Sequence, residues 1–114
     1  MPPSLLEFLR HILDECIYIE ERVSGLTKEE FAQDPTIRRA FVRSIEIIGE
    51  ATKQVPAAVR RRHSRIEWKA MAGMRDRLIH DYFGIDYDLV WDVVTTKIPI
   101  LKQEIEKILR EDNS

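Results

Sequence analysis

One short segment, residues 75–82 (RDRLIHDY), brings together side chains suited to phosphate chemistry in the pattern R-x4-H-x-Y. Arg75 carries a fixed planar charge that pairs with phosphate. His80 can gain or lose a proton near neutral pH. The hydroxyl of Tyr82 can donate or accept a hydrogen bond, or act as a nucleophile. The segment therefore indicates chemistry at a phosphate group.

The reaction that suits this pair without a metal ion is RNA cleavage by internal transesterification. The ribose 2′-hydroxyl attacks the adjacent phosphate, His80 acts as general base or acid, and Arg75 stabilises the charge of the transition state. Because one histidine cannot easily make both proton transfers in a single step, a symmetric dimer with two such sets would meet the need. The spacing alone also fits a structural histidine at the end of a helix.

Amphipathic helices separated by glycine, proline and capping residues account for the rest of the chain. The expected helices span about residues 4–23, 28–33, 35–55, 66–82 and 87–109, and a loop with one helical turn spans 56–64. This pattern predicts an all-α fold, an antiparallel bundle of four longer helices plus short ones, formed by a single domain over residues 1–114.

Particular residues mark where these helices begin and bend. Capping boxes are expected at Ser4/Glu7 and at Thr27/Glu30. Asp34 and Asp86 are expected to be N-caps of the third and last helices. Pro99 falls inside the last helix and is expected to kink it.

The predicted motif helix places Arg75 among apolar residues. Trp68, Met71, Arg75, Leu78 and Tyr82 follow one another at spacings of three and four, the period of a helix face. A guanidinium on such a face needs an acid, a partner chain or a bound anion. Gly73 within this helix suggests that another element approaches closely.

No metal ion or cofactor is expected. His11, Asp14 and Glu15 have the spacing of metal ligands on a helix, but they lie opposite the apolar face and are expected on the surface. Glu46 and Glu50, four residues apart, could hold a cation. Salt bridges to the arginine-rich segment are favoured instead, with one of the two acids meeting Arg75.

The composition is that of a globular protein with a modest core. Of the 114 residues, 44% are hydrophobic and 33% charged, which argues against disorder. The chain contains no apolar run long enough for a transmembrane helix, and its N-terminus lacks the pattern of a secretion signal. Cys16, the only cysteine, excludes an internal disulfide and is expected to be a core residue of a cytoplasmic protein.

The net charge of −2 hides a basic segment. Residues 56–80 carry seven Lys or Arg and two acids, a charge of +5, so the remainder carries −7. Such a patch fits an anionic ligand bound at one place, although a solvated basic face is an equal alternative for residues 60–62. The candidate RNA contacts are Arg60, Arg61, Arg62, Arg65 and Arg77.

Nearly the whole chain resembles the HepT family, toxin members of the HEPN superfamily of helical RNases. The resemblance is carried by residues 47–51 (IIGEA), Trp68, residues 74–84 (MRDRLIHDYFG) and the closing helix with Pro99. It implies an all-helical homodimer with a metal-independent RNase site at the dimer cleft. It also implies that Arg75 and His80 are catalytic, with Asp76 as an orienting neighbour.

The resemblance further implies a partner, an MNT-type minimal nucleotidyltransferase that acts as antitoxin. In this family the antitoxin can transfer AMP from ATP to the motif tyrosine, which corresponds to Tyr82. The expected function is thus an endoribonuclease toxin of a type II or type VII-like toxin–antitoxin pair. The alternative is a non-catalytic helical module that binds the nucleotidyltransferase and helps it to hold its nucleotide or substrate.

Overall fold

Helices form nearly all of the structure, a computed structural model that describes residues 2–78 and 84–112. The helices are α1 (Pro3–Val23), α2 (Lys28–Gln33), α3 (Pro35–Lys53), α4 (Ala57–Arg62), α5 (Trp68–Ala72), α6 (Met74–Leu78), α7 (Tyr87–Asp92) and α8 (Ile98–Asp112), with a π-helical turn at Val93–Lys97. The predicted all-α bundle is confirmed.

The core lies where α1 packs against α3 and α8. Each of these helices buries one stripe of apolar residues spaced three and four apart, as amphipathic helices do. The fully buried residues of the three stripes are Leu9, Ile12, Cys16 and Ile19 on α1, Phe41, Ile45 and Ile48 on α3, and Ile98 and Ile105 on α8. None of the helices in the described ranges combines the length and apolarity needed to cross a bilayer.

The capping box predicted for α2 is confirmed. The backbone N–H of Glu30 donates to Thr27 Oγ1 at 3.1 Å, and the N–H of Thr27 donates to Glu30 Oε1 at 2.9 Å. The hydrogen bond from the backbone N–H of Thr27, followed by one from its hydroxyl, favours the ionised carboxylate and lowers the pKa of Glu30. Asp34 caps α3 as predicted, accepting from the backbone N–H groups of Thr36 and Ile37.

The capping box predicted at Ser4 and Glu7 is wrong. α1 begins at Pro3 with Pro2 as its N-cap, and no side chain caps this end. Proline suits the first helical position, since its φ is already helical and its missing N–H would have no partner there. Because the helix starts one residue earlier than predicted, Ser4 lies inside it and not at its cap.

The single helix predicted over residues 66–82 is also wrong, because it is interrupted at Gly73 between α5 and α6. Gly73 caps the end of α5, where its N–H donates to the carbonyl oxygen of Lys69. The buried positions of α6 are Met74 and Leu78, so the apolar stripe passes through the residue before Arg75. Arg75 therefore does not lie on an apolar face; its side chain is 60% exposed.

The last helix begins as predicted, with Asp86 Oδ1 accepting from the N–H of Leu89 at 3.0 Å. The helix does not continue with uniform geometry, because the π-helical turn separates α7 from α8. In this turn the N–H of Ile98 donates to the carbonyl of Val93, five residues back. Pro99 follows directly, and its lack of an N–H removes one hydrogen bond from the regular ladder. The irregularity expected at Pro99 thus appears as a wider turn just before it.

Candidate functional site

The end of α5 lies directly against the C-terminal part of α3, where Gly49 leaves room for it. A Cβ atom at Gly49 would lie 3.2 Å from the carbonyl oxygen of Met71 and 3.6 Å from that of Ala72. The first distance is shorter than an ordinary contact, so only glycine permits this approach without a shift. α6 therefore starts beside α3, next to the turn of α3 that carries Glu46.

Arg75 pairs with Glu46, one of the two acids predicted to meet it. The distance from Arg75 Nε to Glu46 Oε2 is 3.8 Å, and Arg43 Nη1 lies 3.9 Å from the same oxygen. Glu50, the other candidate, instead pairs with Lys53 at 3.2 Å. Two guanidinium groups thus converge on one carboxylate oxygen, which balances only one of their two positive charges.

The converging arginines open into a cleft between α1 and α3. Its volume is about 410 Å³, and the residues that line it are Phe8, His11, Arg43, Glu46, Ile47, Glu50, Ala51, Gln54 and Arg75. The sequence analysis missed Arg43 and Phe8. Arg43 could have been found from its place three residues before Glu46 on the same helix face, whereas nothing in the sequence brings Phe8 to this cleft.

The predicted catalytic His80 and the predicted AMP acceptor Tyr82 lie outside the described residues. A hydrogen bond joins the residues before and after 79–83: the N–H of Asp86 donates to the carbonyl of Leu78 at 2.8 Å. Gly84 has a φ of +88°, a left-handed conformation that favours glycine. The predicted orienting residue Asp76 is exposed on α6, next to Arg75.

Three of the predicted RNA contacts already have partners or lie elsewhere. Arg60 caps the end of α3, donating from Nε to the carbonyl of Val55 at 2.8 Å and from Nη2 to those of Thr52 and Lys53, each at 3.1 Å. Arg65 pairs with the buried Glu104 at 3.0 Å. Arg62 lies on a separate cavity of about 340 Å³. This cavity is lined by Pro2, Leu5, Pro56, Val59, Arg62, His63, Ile108 and Glu111.

The other two, Arg61 and Arg77, lie on one open groove of about 780 Å³. Both are exposed, as is Lys69, which the sequence analysis did not name as a contact. The groove is lined by Arg60, Arg61, Ser64, Ile66, Glu67, Trp68, Lys69, Ala70 and Arg77. This groove and the cleft that holds Arg75 both adjoin α6, so cationic side chains line both hollows beside this helix.

Neither tryptophan is presented as a free stacking platform. Trp68 is buried, and its Nε1 donates to the carbonyl of His63 at 3.0 Å. Trp91 is half-buried, with its ring centroid 5.2 Å from that of Phe31. Over residues 2–78 and 84–112, no three His, Cys, Asp or Glu side chains are grouped so as to hold a metal ion.

Comparisons with known proteins agree with the resemblance seen in the sequence. A family model described as "Ribonuclease HepT-like" matches residues 12–108. A protein of Caldanaerobacter subterraneus named "Putative RNase" is 49% identical over 105 residues, which cover 92% of this chain and 94% of that protein. The "Probable ribonuclease HepT" of Thermococcus cleftensis is 41% identical over 108 residues, 95% of this chain and 98% of that protein.

A third relative, from Methanocaldococcus jannaschii and also named "Putative RNase", is 40% identical over 104 residues, 91% of this chain and 86% of its own length. The similarity to all three therefore extends over nearly the whole chain and includes α6. No solved structure matches the chain significantly.

Proposed function

Because the chain belongs to the HepT-like ribonuclease family, we propose that it is a metal-independent endoribonuclease toxin with its active site on α6 and the motif that follows. The observation that carries the proposal is the presentation of Arg75. Its guanidinium is exposed on the wall of a cleft, beside a second arginine, at the start of the R-x4-H-x-Y motif. A purely structural arginine has no need of such a position.

The proposed reaction is internal transesterification of RNA. The ribose 2′-oxygen attacks the adjacent phosphorus, the bond to the 5′-oxygen breaks, and the products carry a 2′,3′-cyclic phosphate and a 5′-hydroxyl. His80 takes the proton of the 2′-hydroxyl or delivers one to the leaving oxygen. Arg75 stabilises the charge on the phosphoryl oxygens in the transition state, and Asp76 orients its neighbours.

Two protomers would supply the two proton-transfer groups. In a symmetric homodimer, two copies of Arg75 and His80 face one shared cleft, so that one histidine serves as base and the other as acid. Exposed cations on the groove described above, Arg61, Lys69 and Arg77, would hold phosphates of the strand away from the cut.

Control of the toxin is proposed to lie with an MNT-type nucleotidyltransferase antitoxin. The Tyr82 oxygen attacks the α-phosphorus of ATP, pyrophosphate leaves, and AMP becomes attached to the phenol. The attached AMP puts bulk and negative charge next to Arg75, where the RNA phosphate should bind. The proposal rests on the complete motif in the sequence and on membership of the family.

The test is cleavage of RNA by the purified protein in the presence of EDTA. We expect cleavage by the wild type, and a loss of about 10²- to 10⁴-fold in His80→Ala and of about 10²- to 10³-fold in Arg75→Ala. Arg110→Ala, which removes an exposed charge near the end of α8, serves as the matched control and should cleave normally.

Inactivity of the wild type would direct attention to its mass. A mass increment of one AMP would mean a silenced enzyme, and its removal should restore cleavage. An unmodified protein that cleaves no RNA would contradict the proposal and favour the alternative, a non-catalytic partner of the nucleotidyltransferase.

A further inference from the structure

The cleft beside Arg75 has the size and chemistry of a nucleotide site. We propose that it binds one nucleotide of single-stranded RNA next to the scissile phosphate, with Arg43 holding the phosphate of that nucleotide and Phe8 contacting its base. The proposal rests on the ribonuclease function proposed above, and it identifies which part of the substrate the protomer itself recognises.

The charges at the end of the cleft favour a phosphate group. Arg43 and Arg75 each lie within 3.9 Å of Glu46 Oε2, and both distances exceed the roughly 2.7–2.9 Å of a tight charge-assisted hydrogen bond. The two guanidiniums are therefore held near each other without being fully used. Arg43 is 72% exposed, so its donors can turn to a phosphate while Arg75 engages the neighbouring one.

The wall of the cleft offers an apolar surface to a base. Phe8, Ile47 and Ala51 line it, and both Phe8 and Ile47 are partly exposed despite their apolar side chains. A volume of about 410 Å³ lies at the low end of the range of about 300–1,000 Å³ typical of ligand sites. The cleft thus has room for a nucleotide but not for a duplex.

The polar groups at the rim limit how much RNA can enter. Glu46 and Glu50 are acidic, while His11 lies 3.9 Å from the carboxylate of Glu7 through its Nε2. Glu50 is paired with Lys53. Since Glu46 offsets one of the two positive charges of Arg43 and Arg75, one net positive charge is left at this end of the cleft, and a longer run of phosphates would be repelled.

Binding can be measured separately from cleavage. The probe is a fluorescein-labelled, mixed-sequence 2′-O-methyl RNA, which lacks the attacking hydroxyl and cannot be cut. Fluorescence anisotropy at several salt concentrations gives the affinity and its salt dependence. We expect Arg43→Gln to weaken binding and to reduce the slope of log affinity against log salt by about 0.7, the value for one phosphate contact on a single strand.

Three variants separate charge from stacking. Arg43→Lys should keep the salt slope, since it keeps the charge. Phe8→Leu keeps an aliphatic side chain against the core but removes the aromatic face, and it should weaken binding up to about 150-fold without changing the slope. Arg110→Gln is the control and should bind as the wild type does. Circular dichroism and thermal melting of each variant establish that it is folded.

The outcomes distinguish this proposal from the function on which it rests. If the wild type cleaves RNA but Arg43→Gln binds the probe like Arg110→Gln, the nucleotide site is overturned and the ribonuclease function stands. If Arg43→Gln alters the mass of the assembly in light scattering, the cleft is an interface between copies and the proposal is also overturned. A wild type that carries no AMP and neither binds nor cleaves RNA would overturn both.

Discussion

Glu46 determines how Arg75 can meet a phosphate. Its carboxylate is only 27% exposed and lies between two arginines. This position limits the rotamers of both long side chains before any ligand arrives, and such preorganisation lowers the entropy that binding must cost. The same carboxylate competes with phosphate, so the arrangement favours an RNA strand whose neighbouring phosphates engage the two guanidiniums at once.

Cys16 illustrates a buried group whose chemistry is suppressed by its surroundings. Burial, with a smaller contribution from the nearby Glu20, raises the pKa of the Cys16 thiol from 9.0 to about 12. The thiolate is the reactive form, so at pH 8 the native protein should react with iodoacetamide far more slowly than the protein unfolded in guanidinium chloride. Intact-mass analysis over time measures both rates.

The same shift has a consequence for stability at high pH. A thiol that ionises at pH 9.0 when unfolded but near 12 when folded favours the folded state below pH 9, and this contribution is lost as the pH rises from 9 to 12. If iodoacetamide labelled the native and the unfolded protein at the same rate at pH 8, Cys16 would not be buried as described.

Residue types and spacings predicted much of the site but not its exposure. The pairing of Arg75 with an acid of the long helix followed from the need to neutralise an arginine, and Glu46 is that acid. The exposure of Arg75 was predicted wrongly, because the apolar stripe passes through Met74, the residue before it. Spacings of three and four after Met71 fit Met74 and Arg75 equally well, so periodicity alone does not choose between them.

At the scale of elements, the contact between α3 and α5 positions the candidate site, and Gly49 permits that contact. We expect Gly49→Ala to lower the free energy of unfolding by about 1 kcal/mol, since overpacking costs about 1–3 kcal/mol and alanine in place of glycine returns about 1 kcal/mol within a helix. Because α6 must move with α5, RNA cleavage should fall about tenfold. Chemical denaturation and the cleavage assay measure the two effects.

Gly73→Ala is the matched control for this substitution. A Cβ there would lie 3.4 Å from the carbonyl of Lys69, an ordinary contact, and the φ of Gly73 is −92°, which alanine adopts freely. It should raise the free energy of unfolding by about 0.4–1 kcal/mol and leave cleavage unchanged. If both substitutions reduced cleavage equally, the approach of α5 to Gly49 would not be what positions Arg75.

Helix ends were predictable wherever a polar side chain caps the backbone, as at Thr27, Asp34 and Asp86. The errors fall where backbone geometry decides without a side chain, as at Pro3, at Gly73 and in the turn before Pro99. There the alternatives differ by a single hydrogen bond, about 0.5–1.5 kcal/mol, and packing of the whole chain selects between them.

At the scale of the whole molecule, an acidic chain places several exposed cations in two hollows beside one helix. The groove with Arg61, Lys69 and Arg77 and the cleft with Arg43 and Arg75 both adjoin α6. A strand of RNA drawn to these cations would pass the motif, while the remaining acidic surface would repel it elsewhere. The proposed homodimer would double this arrangement about its axis.

The proposed shared site makes a prediction that only a dimer can satisfy. If the two His80 residues of a dimer act together in one cleft, a dimer of one wild-type and one His80→Ala protomer lacks either the base or the acid. An equimolar mixture of wild type and His80→Ala, unfolded and refolded together, should then show about one quarter of the cleavage rate of the same amount of wild type, because only one quarter of the dimers hold both histidines.

Each protein refolded alone is the control: the wild type should recover its cleavage rate, and His80→Ala should remain inactive. Light scattering should give a mass near twice the 13.4 kDa of one chain. A dimer of this mass whose mixture keeps half of the wild-type rate would mean that each protomer cleaves with its own histidine. A monomeric mass with full cleavage would remove the need for a second histidine, and a residue within the single chain would then have to complete the proton transfer.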